Sequence, residues 1–325
     1  MKVLEETQKN LLPVFENYLQ DTGFAKEPKL LFDSYQHIMS IKGKRIRPLL
    51  CLIACETFGG EQKKALPVAA AVEIFHNFTL VHDDIMDNAD VRRGMPAVHT
   101  KFGVNQAIIC GDAMASHSYK QLCQIKGHTN FGDIVCLFTK TASEIMDGQQ
   151  MDMDFETRED VGEEEYLTMI KYKTSVLLAA ALQLGAQVAG ASGEDQKHIY
   201  DFGLNLGLAF QIKDDWLDTY GEAAKVGKRI GGDILNNKKT HLLVTAMNSA
   251  SESQMAEFRR LFDVTNEEEK IDGVMKLYDD LEINQKTYLK MELLYAESLA
   301  CLDKLSIENK ESLVDLAHSI YHRDF

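Results

Sequence analysis

Val68-Ala69-Ala70-Ala71-Val72-Glu73-Ile74-Phe75-His76-Asn77-Phe78-Thr79-Leu80-Val81 runs without a break into His82-Asp83-Asp84-Ile85-Met86-Asp87. Apolar residues recur here at helical spacing, as they do again through Leu178, Ala179, Leu182 and Ala186, while alternation with period two is scarce. The chain of 325 residues has five prolines, at 13, 28, 48, 67 and 96, and none after Pro96. A β-rich or mixed fold rarely runs so far without one. The fold class is therefore read as all-α.

With 45% apolar residues the chain can bury a large core. No low-complexity linker stands out, so residues 1–325 are expected to form a single domain. Breaks between helices are expected near 21–23, 58–60, 88–98, 126–132, 147–148 with 157–164, 191–193 and 220–239, the last being a long irregular segment rich in Gly and Lys. A net charge of −15 argues against nucleic acid as a partner. Six cysteines include no Cys-x-x-Cys pair and read as reduced core thiols. No signal-like run opens the chain, and Gln183 and Gln187 interrupt the most apolar later stretch. These features lead us to expect a cytoplasmic protein without an integral membrane segment.

The acidic pentapeptide recurs as Asp214-Asp215-Trp216-Leu217-Asp218, again after apolar sequence, Leu208-Ala209-Phe210-Gln211-Ile212. Each copy sets its first and last carboxylates at i and i+4 on one helix face, the second Asp being displaced around the helix. One such cluster alone is usually a solvated face. Two, both continuing buried stripes, point instead to hard cations, and Mg²⁺ favours a few carboxylates, waters and substrate phosphates. Two facing clusters suggest a diphosphate gripped through metal ions.

Cations accompany the acids. Gly43-Lys44-Arg45-Ile46-Arg47-Pro48 puts Lys44 and Arg47 three apart, a spacing that could share one face and suits a phosphate. Arg92-Arg93 follows the first motif, and adjacent arginines can serve two different anions. His76 is expected on the Asp83 face two turns away. Lys173 and Thr174 sit inside an apolar helix, where an unpaired Lys173 would be costly, so an anion should meet it. Gln211 faces the same way as Asp214. Gly227-Lys228 and Lys238-Lys239-Thr240 bring further cations to the long segment, which is no Walker A loop because Asp233 stands where that motif demands Lys.

Together these motifs resemble the trans-isoprenyl diphosphate synthases, from about residue 40 to 245, with a similar tail ending Tyr321-His322-Arg323-Asp324-Phe325. The resemblance implies a single-domain helical bundle of the isoprenoid synthase type around a central substrate cavity, working as a homodimer. It implies that Asp83, Asp84, Asp87, Asp214, Asp215 and Asp218 hold three Mg²⁺ ions on the diphosphate of an allylic substrate (dimethylallyl, geranyl or farnesyl). Arg92, Lys173 and Lys238 would neutralise that leaving group, with Lys228 assisting and Lys239 an alternative to Lys238. Gly43, Lys44, Arg47, His76 and Arg93 would hold isopentenyl diphosphate, with Phe210 beside its alkene. Thr174 and Gln211 would point oxygen dipoles at the allylic cation.

Two departures matter. Asn237 stands where the family usually has Gly before Lys238, and the first motif lacks the two-residue insertion of bacterial farnesyl synthases. Product length follows from depth: Phe78 and Phe75 lie roughly 7 and 12 Å along the helix from Asp83, where Phe78 would floor a tail channel. The expected product is C15–C20, and the resemblance favours C20, the family habit being one aromatic five residues before a short first motif; the helix after Gly111-Asp112 is the alternative determinant of depth. Rival readings are an all-α His-Asp phosphohydrolase, a terpene cyclase and a noncatalytic prenyltransferase subunit. The first leaves the second acidic motif and Lys173 unexplained, the second lacks a second Asp-Asp-x-x-Asp, and the third should have lost one motif.

Overall fold

The computed structural model describes residues 2–221 and 231–321, with side chains from residue 9 onward. Helices dominate it. In chain order they are α1 (Lys2–Gln20), α2 (Lys29–Ser40), α3 (Ile46–Thr57), α4 (Gln62–Met86), α5 (Val98–Phe102), α6 (Val104–Leu122), α7 (Phe131–Glu156), α8 (Glu163–Ile170) and α9 (Val176–Ala189). After them come α10 (Gly193–Tyr220), α11 (Gly232–Leu235), α12 (His241–Ser249), α13 (Glu252–Phe262), α14 (Glu267–Asp280), α15 (Ile283–Asp303) and α16 (Glu311–Tyr321).

The sequence decides who lies inside. Almost every residue of α9 is apolar and buried, so this helix sits within the bundle between α3, α7 and α10. α4 is buried from Ala65 to Phe75 by α3, α6 and α9, and its first turn and its last turns, which carry the acidic motif, reach the surface. Among the described residues it is the one helix long and apolar enough to cross a membrane, and its apolar stretch is instead covered by the bundle. A smaller cluster joins α12, α13 and α14, centred on Phe258, Leu261 and Tyr278. Polar helix starts are capped as their sequences suggest: Asn266 accepts the Glu269 N–H at 3.0 Å and Ser251 the Gln254 N–H at 3.4 Å.

Two expectations about breaks need correction. α7 runs through Gly148 to Glu156, so residues 147–148 form no break. Residues 88–98 are a break as expected, and they contain a hairpin of β1 (Val91–Arg92) on β2 (Met95–Pro96). Arg93 and Gly94 turn it, both at positive φ, the pair a two-residue hairpin turn requires. Finally, α10 extends to Tyr220, and 231–239 is a tight helix and turn in place of an irregular segment. Lys228 and the tail 322–325 lie outside the described residues.

Candidate active site

A cavity of about 350 Å³ opens between the carboxyl-terminal end of α4 and the middle of α7. At its polar end stand Asp83 and Lys173, and its apolar walls are Phe78, Met86, Ile145, Met146 and Met153. Below it Phe78 packs edge-on to Phe75 (5.2 Å), which packs on Phe138 (5.4 Å), which packs on Tyr119 (5.2 Å). Aromatic rings from α4, α7 and α6 thus close the deep end. The wall opposite Phe78 belongs to α7, while Gly111-Asp112 proves to lie inside α6 and not before a helix, and α6 contributes through Tyr119.

The two acidic motifs are built alike. Asp84 is fully buried and accepts from the Arg92 guanidinium, whose Nε lies 3.0 Å from its Oδ1. Asp215 is buried too, accepting the Tyr166 hydroxyl and, at 3.1 Å, the backbone N–H of His241. In each motif the second carboxylate is directed into the protein. Asp83 and Asp214 are half-buried and Asp87 is exposed, while Asp218 accepts the Asp233 N–H at 2.8 Å. Among the described residues no three acidic, His or Cys side chains converge closely enough to hold an ion alone. Burial raises Asp83 to about 6 against the pull of Lys173, and raises Asp215 to about 6 against that of Lys238.

Lys173 and Thr174 sit half-buried in a wide π turn, Lys171–Ser175, between α8 and α9. Such turns displace side chains from the helical register, often at functional sites. Gly148 permits it: a Cβ there would lie 2.3 Å from the Lys173 backbone nitrogen. One turn on, Asp152 forms the ion pair with Lys173. Asp152 also acts electrostatically on Lys238, whose charged form is held by Asp215 and by Asp233 at 3.3 Å, overcoming the cost of burial. Asp83 with Lys173, and Lys238 with Asp152 and Asp215, act on one another electrostatically without direct contact, and the cavity that Asp83 and Lys173 line is not lined by Asp214, Asp215 or Asp218. Lys239 turns away, its Nζ 5.8 Å from the centre of the Phe262 ring. Gln211 and Phe210 are half-buried on α10 before the second motif, and Phe210 packs against the main core.

The second cationic group lies beside α3. The Arg47 guanidinium donates to His76 Nε2 at 3.2 Å, leaving that ring neutral, and burial with Arg47 and Arg93 nearby depresses its basicity well below the usual imidazole range. Burial and Arg93 lower Arg47 to about 10. Arg93 lies against the backbone of Gly43, where a Cβ would be 2.4 Å from its Nη1. Thus Arg92 turns to the first acidic motif and Arg93 to the Arg47–His76 pair, as adjacent arginines can. Lys44 does not share a face with Arg47. The intervening Arg45 is left-handed and precedes α3, so helical spacing does not apply, and Lys44 borders a groove with Leu12, Leu316 and Ile320.

Asp152, Tyr166, Asp233 and Glu73 were missed in sequence. Glu73 is buried, bonds Arg45 at 2.7 Å, and counters the charges of Arg47 and Arg93. Asp152 had a signal: it lies four residues after Gly148, on the face that touches the Lys173 turn.

The polyprenyl synthetase family model matches residues 28–281. A geranylgeranyl diphosphate synthase of Methanosarcina mazei is 42% identical over 220 residues, covering 67% of this chain and 68% of the relative. One from Saccharolobus solfataricus is 39% identical over 288 residues, covering 86% and 83%. A crystal structure of a geranylgeranyl pyrophosphate synthase superposes with a TM-score of 0.91 at 40% identity, covering 98% of this chain and 99% of that one.

Proposed function

Because the chain belongs to the polyprenyl synthetase family and is a short-chain trans-prenyltransferase, we propose that it condenses isopentenyl diphosphate with an allylic diphosphate and releases a C20 product. The observation that carries this reading is the shape and polarity of the cavity: a carboxylate and an ammonium at one end, an aromatic floor at the other. An isoprenoid diphosphate is amphiphilic in the same sense. The C20 assignment draws on that floor and on the relatives named geranylgeranyl diphosphate synthase.

Asp83, Asp87, Asp214 and Asp218 would hold Mg²⁺, their all-oxygen, open donor set suiting an ion completed by waters and phosphate oxygens. When bound, the metal supplies Lewis-acid compensation for the charge of the departing diphosphate. Asp84 and Asp215 instead hold Arg92 and Tyr166 in place. Lys173, released from Asp152, with Arg92 and Lys238, adds fixed positive charge around the leaving group, each such group being worth about 3 kcal/mol in well-aimed cases. Arg47, Arg93 and neutral His76 receive the second diphosphate, and Lys44 stands at the margin of that group. Thr174 and Gln211 offer oxygen dipoles to the allylic cation. The alkene of isopentenyl diphosphate attacks that cation, and the proton then lost passes to the released diphosphate.

A homodimer belongs to the same proposal. Met86, Met146 and Met153 line the cavity yet are exposed, and so are Ile108 and Ile109 on α6. A second copy therefore has an apolar face to cover. A cytoplasmic location is part of the same proposal, supported by unpaired thiols, of which Cys51, Cys55, Cys110 and Cys301 are buried while Cys123 and Cys136 are exposed and not in the core. Incubation with isopentenyl diphosphate, each allylic diphosphate and Mg²⁺, followed by chromatography of the dephosphorylated products, tests the reading. C20 alcohol is expected; folded protein that elongates no starter would refute it.

A further inference from the structure

Asp215 is where the three charged segments of the site meet. Its Oδ2 accepts the hydroxyl of Tyr166 on α8, two helical turns before Lys173, and the N–H of His241, the first residue of α12 after Lys238-Lys239-Thr240. Lys238 is drawn to the same carboxylate. Tyr166 is 1% exposed and does not line the cavity, so it touches no substrate. Its ring is held edge-on by His241 at 6.0 Å, and His241 Nδ1 is 3.1 Å from Thr287 Oγ1 on α15. One carboxylate oxygen thereby ties the motif helix α10 to the segments carrying Lys173 and Lys238.

We propose that Tyr166 is a positioning residue: its hydroxyl, by holding Asp215, sets the spacing between the Lys173 turn, Lys238 and the carboxylates of Asp214 and Asp218 around the diphosphate. The inference rests on the prenyltransferase reading. Without the hydroxyl, Asp215 keeps one backbone donor and an unmet need for another. Lys238 already acts on Asp215 electrostatically, and it would then move toward Asp215 and away from the leaving group. Misplacements of this kind cost far more in rate than in stability.

Tyr166→Phe keeps the ring and its packing. It is expected to lower kcat about tenfold or more, to leave the KM for isopentenyl diphosphate within about twofold, and to weaken calorimetric binding of inorganic diphosphate with Mg²⁺ about fivefold. Asp215→Asn should produce the same deficit, and adding Tyr166→Phe to it should change little further, because the two act through one bond. If Tyr166→Phe does not fold, Asp215→Asn alone must still show the loss of diphosphate binding with an unchanged isopentenyl diphosphate KM. Wild-type-like kcat and diphosphate binding in folded Tyr166→Phe, or additive effects in the double variant, overturn the proposal. Absence of elongation by the wild-type protein counts against the prenyltransferase reading, whereas the calorimetric comparison judges Tyr166 independently of turnover.

Discussion

Asp84 and Asp215 hold equivalent places in the two acidic motifs, and the fold treats them alike. Each is buried, and each accepts from a side chain of another segment, Arg92 or Tyr166. A helix cannot aim three carboxylates at i, i+1 and i+4 toward one point, because the middle one is rotated about 100° around the axis. The spacing announced that displacement, but not what would receive the displaced groups. Phe78 is the residue whose role depends most on its surroundings. It faces the cavity and is backed by Phe75, Phe138 and, through it, Tyr119. Phe78→Ala is expected to extend the products beyond C20, at a stability cost of about 3 kcal/mol. Product chromatography and thermal melting measure both, and an unchanged product ladder from folded variant removes Phe78 as the floor.

The Lys171–Ser175 turn is the element on which the site depends. A helix there was legible from its apolar residues, but a π turn has no sequence signal of its own, since the extra residue is accommodated by neighbours distant in the chain. Gly148 on α7 and Gly207 on α10 are those neighbours: a Cβ on the first would lie 2.3 Å from the Lys173 nitrogen, and on the second 2.9 Å from Ser175 Cβ. A glycine inside a helix costs about 1 kcal/mol relative to alanine, which is why Gly148 reads as a break when it is in fact a contact. Gly148→Ala is therefore expected to destabilise, by about 1–3 kcal/mol of overpacking, and to depress kcat by shifting Lys173. Urea melts and initial rates check this, and a variant equal to wild type in both would show that the turn tolerates displacement.

At the scale of the whole molecule the apolar face of α6 and α7 bears on assembly. Ile109 is 54% exposed and Met146 53%, on neighbouring helices whose other faces form the core. In a chain of net charge −15 such a face has to be covered locally for two copies to associate. Ile109→Glu is expected to yield a monomer in size-exclusion chromatography with light scattering; a wild-type monomer at micromolar concentration would dismiss the homodimer. Lys213, beside Asp214, donates to the Tyr321 carbonyl and lies 5.2 Å from its ring, so α16 is fastened to α10 next to the second motif.

The amino-acid sequence by itself determined the helical class, the family and the identity of most charged groups, because helical periodicity and i, i+4 spacing are local properties carried by neighbours in the chain. Only the tertiary structure decided which anion meets Lys173, why Lys44 parts company with Arg47, and that Lys238 and not Lys239 faces Asp215. Those outcomes depend on a left-handed residue at Arg45, a wide turn after Ile170 and carboxylates brought in from other helices. Pairing between segments distant in sequence is fixed by packing and by the cost of leaving a buried charge alone, and neither is written in the spacing of residues along one stretch of chain.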